Sequence, residues 1–416
     1  MTYDIIIIGA GAAGLFAGIN LPKDLNKLIL EKNDKPGIKV LLSGGERANV
    51  SNMDIEPMRD YFTQNKKALL SVFKKYNQWD IMSFFAANGV NIVEEDRGRL
   101  ILESGDSKEL LAVLLREVKK NNCEIRLNSD VKKVIPLIQN ADHTGNRPPP
   151  NPLLRFNFEN SRASTPVSLI LGKAGEQYEI VLENGEKYHT KNVIVSSGGK
   201  SFFQVGTTGE GYNIAESLGI NVIAPHRSLC GLTTKKDLSE LSGSSINLLL
   251  KLKDIVFINR DIKKDEIIYQ EFGPLLFTHF GISGPIVFNT GNALGEYLNK
   301  LKIYSEDDKI RYILENIKIE LEIDALNSTK KINKYFEKEI ENSLKIEFGL
   351  QDWRSWKEAK ATGGGIDLNE LDKNMQSKKY PGLYFIGEVV DVTGKTGGFN
   401  LQWAWSSAFV CSENFK

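Results

Sequence analysis

The sequence predicts an α/β protein whose main sheet is interrupted by an inserted α+β domain. Three observations predict it. Residues 3–31 read YDIIIIGAGAAGLFAGINLPKDLNKLILE: an apolar strand, a glycine-rich turn, a helix-forming segment and a second strand. Residues 382–415, GLYFIGEVVDVTGKTGGFNLQWAWSSAFVCSENF, repeat the order strand, glycine-rich loop, helix. Between residues 222 and 352 the pattern changes to long alternating strands followed by charged segments, which do not continue the first sheet.

The opening unit is the most informative. Ile5 to Ile8 form the strand, and Gly9, Gly11 and Gly14 follow with the spacing G-x-G-x-x-G. In that spacing Gly9 permits a tight turn, Gly11 lets the backbone approach a pyrophosphate, and Gly14 lets the helix pack against the strand. A helix beginning at Ala12 and Ala13 points free N–H groups and the positive end of its dipole at phosphates. Glu31 closes the second strand, where a carboxylate can accept hydrogen bonds from ribose hydroxyls. Together these predict a dinucleotide site. The uncharged run from Ile5 to Leu21 would also suit a signal peptide or a membrane anchor. Asp4 stands in place of a basic leader, however, glycines interrupt the run, and it falls short of the ~20 residues a spanning helix needs. A soluble protein is expected.

Composition sets outer limits. A chain of 416 residues should hold about two or three domains. Its 53 basic and 53 acidic residues balance, which argues against broad non-specific nucleic-acid binding and leaves room for a local basic face. Cys123, Cys230 and Cys411 form no C-x-x-C pair, so neither zinc nor a dithiol redox motif is indicated. Isolated cysteines of this kind fit a reducing cytoplasm.

Along the chain, residues 33–52 (NDKPGIKVLLSGGERANVSN) make a second small-residue turn at Ser43, Gly44 and Gly45, followed by Arg47 and Asn49. Glycines there allow close backbone approach, which favours a loop lying along a cofactor over an ordinary solvated loop. Residues 56–121 read mainly as helices, with a short hairpin whose turn, Arg97-Gly98-Arg99, reads as a solvated tip. Residues 137–176 contain Pro148, Pro149, Pro150 and Pro152 and no apolar period, and read as a poorly ordered surface excursion. A hairpin around Asn184-Gly185 then leads into a strand ending at Ser196-Ser197-Gly198-Gly199. Strand ends of this kind are where α/β sheets hold ligands.

In the inserted region, INLLLKLKDIVFI and DEIIYQEFGPLLFT read as strands, HFGISGPIVFN as a loop and residues 307–348 as charged helices. His279 is either a structural histidine or an acid–base or substrate contact, and it is retained as the catalytic candidate. The return adds Gly387, Glu388, Asp391, Gly394, Gly397 and Gly398 before a helix near Asn400, whose N-terminus suits an anionic or electron-rich ligand. Trp403 and Trp405 read as core. The expected division is residues 1–222 for the first part of the dinucleotide domain, 223–355 for the insert and 356–416 for the return.

Taken in order, the opening unit, SGGERANVSN, SSGGKSFFQVGTTGEGY, LLFTHFGISGP, ATGGGIDL and the return segment resemble the FAD-dependent oxidoreductases of the aminoacetone-oxidase-like, BaiN-like family. Glu46 stands where that pattern often has glycine, and Ala48 where it often has cysteine. The resemblance implies a glutathione-reductase-type Rossmann FAD domain with an inserted domain of β-barrel plus helices. It implies non-covalent FAD on the opening motif: Gly9, Gly11, Ala12, Ala13 and Gly14 at the pyrophosphate, and Glu31 with Lys32 at the adenosine ribose. Lys39, Ser43, Gly44, Gly45, Arg47, Asn49, Val131, Gly198, Gly387, Glu388 and Gly394 would line the cofactor. Asp391 would meet the ribityl–pyrophosphate region. Gly397, Gly398, Phe399, Asn400, Leu401 and Gln402 would set the last helix under the isoalloxazine.

The implied activity is hydride or electron transfer between a reductant, NAD(P)H, and a substrate at the junction with the insert. No second G-x-G-x-x-G follows a strand, so the nicotinamide would bind transiently. The family offers small amines such as aminoacetone, steroid-like double bonds, and uridine in ribosomal RNA. The substrate is therefore a small molecule or ribosomal RNA, with no membrane partner. A flavin-bearing redox sensor without turnover is the rival reading.

Overall fold

The computed structural model describes residues 2–43, 48–139, 170–172, 177–258, 262–324, 328–336 and 344–416. Gly44, Gly45 and Arg47, and most of the expected proline-rich excursion, lie outside the described residues.

The first half builds strand β1 (Thr2–Ile8), helix α1 (Ala12–Asn20) and strand β2 (Lys27–Leu30). Then come β3 (Asn49–Asn52), β4 (Ile92–Glu95), β5 (Arg99–Leu102), α2 (Ser107–Lys120), β6 (Cys123–Arg126) and β7 (Val131–Gln139). Strands β8 (Tyr178–Leu182) and β9 (Lys187–Val195) complete the half. The parallel order is β6–β2–β1–β9. The isoleucines of β1 are buried on both faces, as a parallel strand covered on each side requires, so they form an unbroken apolar run. Antiparallel β8 and β7 extend the sheet beyond the first half of β9. The predicted hairpin is present: β4 and β5 pair around a turn at Asp96–Gly98, and β3 adds a third strand.

Strand β10 (Val222–Ser228) leads into the insert. A closed six-stranded barrel follows, made of β11 (Leu232–Thr234), β12 (Ser245–Ile258), β13 (Ile262–Thr278), β14 (Gly281–Ser283), and, after helices α3 (Pro285–Lys300) and α4 (Glu306–Asn316), β15 (Ile317–Ile323) and β16 (Leu344–Trp353). Two expectations are corrected here. The stretch expected to be charged helices contains two barrel strands: in IKIELEI every second residue is buried, a strand period that its charges disguised. The segment expected to be a loop at HFGISGPIVFN becomes helix α3 at Pro285, where proline takes the first helical position because no intrahelical N–H is needed there.

The chain re-enters the first half through β17 (Ala361–Ile366), antiparallel to β10. Strand β18 (Leu383–Phe385) then joins β9 in parallel, and helix α5 (Phe399–Ser412) follows. This helix is buried nearly all round, and Trp403 and Trp405 are core residues whose indole N–H groups donate to the Gly387 and Val50 carbonyls. Apolar side chains form two separate cores, one around the Rossmann sheet and one inside the barrel and its helices. Among the described residues no helix is long and apolar enough to cross a membrane, and no His/Cys/Asp/Glu cluster could hold a metal. All three cysteines are free and buried.

Candidate FAD and substrate site

A cavity of about 810 Å³ is lined by the β1 turn, the end of β9, the loop before α5, and Leu229, Pro285 and Phe288 of the insert. Both halves of the Rossmann domain are needed to enclose it. At one end Gly9, Gly11, Ala12 and Ala13 form the wall. A Cβ on Gly11 would meet nothing within 4 Å, so that backbone faces open space. Gly14 is different: a Cβ there would lie 2.0 Å from the Gly9 carbonyl oxygen, so its role is to hold α1 against the turn.

Glu31 is buried at the same end. Its Oε2 accepts a hydrogen bond from Ala10 N at 2.8 Å, and its Oε1 accepts from Asn33 N at 3.0 Å and Asn33 Nδ2 at 2.8 Å. Each oxygen is fixed by the chain's own donors and retains lone-pair capacity toward the cavity. Lys32 pairs with Glu210, and Val131 closes this end beside Asp130, whose carboxyl is pushed up by burial.

In the middle, Lys39 Nζ donates to Ser201 Oγ at 2.6 Å and to Glu388 Oε2 at 2.5 Å. Glu388 Oε1 accepts from Ser201 Oγ at 3.0 Å and from Thr362 N at 2.9 Å. The network ties the loop before β3, the end of β9 and the re-entry strand β17 together. Ser43, Asn49 and Gly198 line the same stretch. Ser43 Oγ, Asn49 Oδ1 and Ser197 Oγ are buried and have no partner among the described residues. Three unpartnered polar atoms on one cavity wall match a polar ligand threaded along it. With the glycine turn, the placed acid and the length of the cavity, these residues fit FAD.

At the far end Gly397, Gly398, Asn400 and Leu401 open helix α5, Arg99 packs against Gly397, and Leu229, Pro285, Phe288, Lys360 and Ala361 complete the lining. The remaining residues of the expected set stand behind the wall. Gly387 N donates to the Ser407 hydroxyl oxygen, and Asn400 brackets Gly394 with two hydrogen bonds. The Phe399 carbonyl accepts from Tyr61 OH, and Gln402 Oε1 accepts from Ser51 Oγ at 2.6 Å. Asp391 is buried off the wall and accepts from Gln64 N at 3.0 Å. Burial, and after it Glu296, push its carboxyl well above the ordinary range. His279 does not line the cavity; it is exposed, with its ring 5.2 Å from that of Phe280.

Sequence reasoning missed Arg99, Leu229, Pro285, Phe288 and Lys360. Arg99 sat in a turn read as solvated. Leu229, Pro285 and Phe288 carry no local signature. Lys360 directly precedes the ATGGGIDL segment, which is the one signal that could have pointed to it.

Bound here, FAD would supply two-electron chemistry, and the positive end of α5 that opens on the cavity would favour negative charge there.

The family model described as HI0933-like protein Rossmann domain matches residues 3–144 and 157–414. A ribosomal RNA dihydrouridine synthase from Haemophilus influenzae is 32% identical over 439 residues, covering 98% of this chain and 97% of that protein. A 3-dehydro-bile acid delta(4,6)-reductase from Clostridium scindens is 23% identical, covering 97% of each. Among solved structures, a 3-ketosteroid-delta4-(5alpha)-dehydrogenase from Rhodococcus jostii shares the fold, with a TM-score of 0.50 at 10% identity over 99% of this chain and 97% of that one. With its glycine turn, its acid and its returning helix enclosing one cavity, this chain belongs to the HI0933-like family and is an FAD-dependent oxidoreductase.

Proposed function

We propose that the protein reduces a ring carbon–carbon double bond conjugated to a carbonyl, and that its substrate is uridine in ribosomal RNA, with NAD(P)H as the external reductant. The observation that carries the reading is the far end of the cavity. There Leu229, Pro285, Phe288 and Ala361 form an apolar wall beside the α5 N-terminus, a slot suited to a flat ring. Lys360 on the same wall suits an acceptor group on that ring and works against a cationic amine substrate. The Haemophilus relative supports the RNA half, since making dihydrouridine is the reduction of a conjugated ring double bond. The bile acid reductase supports the same bond type in a different ring.

The test is anaerobic reduction of the FAD-loaded protein with NADH and NADPH, followed by an unmodified ribosomal RNA fragment. The expected result is flavin reoxidation with one dihydrouridine formed per flavin, read by nucleoside mass spectrometry. A reduced flavin that persists in the presence of the RNA rejects this substrate. A flavin that neither nicotinamide reduces rejects the reductant.

A further inference from the structure

Among the described residues, Lys35 and Lys360 are the cavity-wall cations without a hydrogen-bond or ion-pair partner. Lys32 is paired with Glu210, Lys39 with Glu388 and Arg99 with Glu95. Lys35 belongs to the dinucleotide end, next to Asn33 and Gly37. Lys360 has no hydrogen-bond or ion-pair partner among the described residues. Its Nζ lies 4.7 Å from the centroid of the Phe288 ring. Thr396 N donates to Asn289 Oδ1 at 3.0 Å, which holds the neighbour of Phe288 against the loop leading into Gly397 and Gly398. Lys360 and the α5 N-terminus therefore border the same end of the cavity. Lys360 is an exposed residue, and only the part of it packed against the cavity wall draws its pKa below the ordinary lysine value. An aromatic face compensates only in part.

We propose that Lys360 is the substrate-recognising residue: its ammonium binds the carbonyl oxygen of a flat conjugated ring stacked near Phe288, and stabilises the negative charge that oxygen gains during reduction. Bound FAD would supply the hydride for the β-carbon, the displaced π pair ends on the oxygen beside Lys360, and a solvent proton ends on the α-carbon. A fixed positive charge where an oxyanion develops is the arrangement that lowers such a barrier. The assignment rests on the functional reading above for the class of bond reduced, and is independent of whether the ring belongs to RNA.

The test uses a stable oxyanion on a flat ring. The oxidised, FAD-loaded protein is titrated with para-nitrophenol, and ionisation of the bound phenol is followed by difference absorbance against pH. Bound phenol is expected to ionise about one pH unit or more below its value in solution. Lys360→Met abolishes most of the shift and weakens phenolate binding about tenfold, and Lys360→Arg restores both. If the Met variant loses its flavin, Lys360→Gln is read in the same way. A bound phenol that ionises at its solution value overturns the assignment, as does an uncharged variant that binds phenolate as tightly as the parent. The RNA reading fails separately, on the absence of dihydrouridine.

Discussion

The Ser51 carbonyl oxygen lies 2.0 Å from the position a Cβ would occupy on Gly398. Gly398 also has φ 101°, and it caps the N-terminus of α5 where the helix meets the cavity. A β-branched side chain there has no room and a strained backbone. Gly398→Val should lower FAD occupancy about tenfold or more. Flavin absorbance per protein after purification reads this directly. A fully yellow variant with an unchanged reduction potential would remove the claim.

Glu31 anchors the β1 turn through Oε2 and Asn33 through Oε1. Glu31→Ala would leave the buried Ala10 N–H without its acceptor, at a cost of about 1–3 kcal/mol before any cofactor is added. The loss should therefore appear in urea unfolding of the flavin-free protein as well as in FAD affinity. Equal stability of the flavin-free variant and parent would show that the carboxylate acts only on the ligand.

Lys39 and Glu388 are partly exposed, so their ion pair is a modest contribution rather than a pillar of the fold. A double-mutant cycle of Lys39→Met and Glu388→Gln should give a coupling of about 1 kcal/mol that falls as salt is added. Coupling indistinguishable from zero at low salt would mean that Ser201 and Thr362 hold Glu388 without the lysine.

Glu296 on α3 and Asp391 on the return each receive a hydrogen bond from Gln64, at 3.1 and 3.0 Å. Burial pushes Glu296 up to about 7, while Lys300 and Lys66 oppose the shift. A carboxyl raised in the folded state binds its proton more tightly there than in the unfolded chain. Its contribution to stability is thus present at low pH, and is lost as pH rises from the ordinary carboxylate range through about 7. Glu296→Gln should leave stability near pH 4 almost unchanged and raise it near pH 8 by about 3 kcal/mol. Parallel pH profiles for variant and parent would contradict this.

The parts of the site legible in the sequence were those where one short segment sets both backbone and ligand geometry. The spacing of Gly9, Gly11 and Gly14 dictates a turn, and Glu31 follows at the end of the next strand. The far end was not legible because it is assembled across long separations. Arg99 reaches the α5 N-terminus through the pairing of β5 with β3, whereas Phe288 comes from the insert and Lys360 from the approach to β17, and only Lys360 borders a recognisable segment. In the insert the strand period of β15 was present in the residues, but its alternating Lys and Glu imitate an exposed helix. The six-stranded barrel was implied by resemblance and not by spacing.

The cavity draws one wall from Gly9 to Ala13 and the facing wall from Gly397 to Leu401, with the whole barrel threaded between them. During synthesis the opening unit emerges first and the barrel can close on its own core. The flavin pocket, by contrast, cannot exist until α5 has cleared the ribosome. Cofactor capture therefore waits until both walls have been made. Until then α1 lacks the helix that covers it, and its apolar surface faces water.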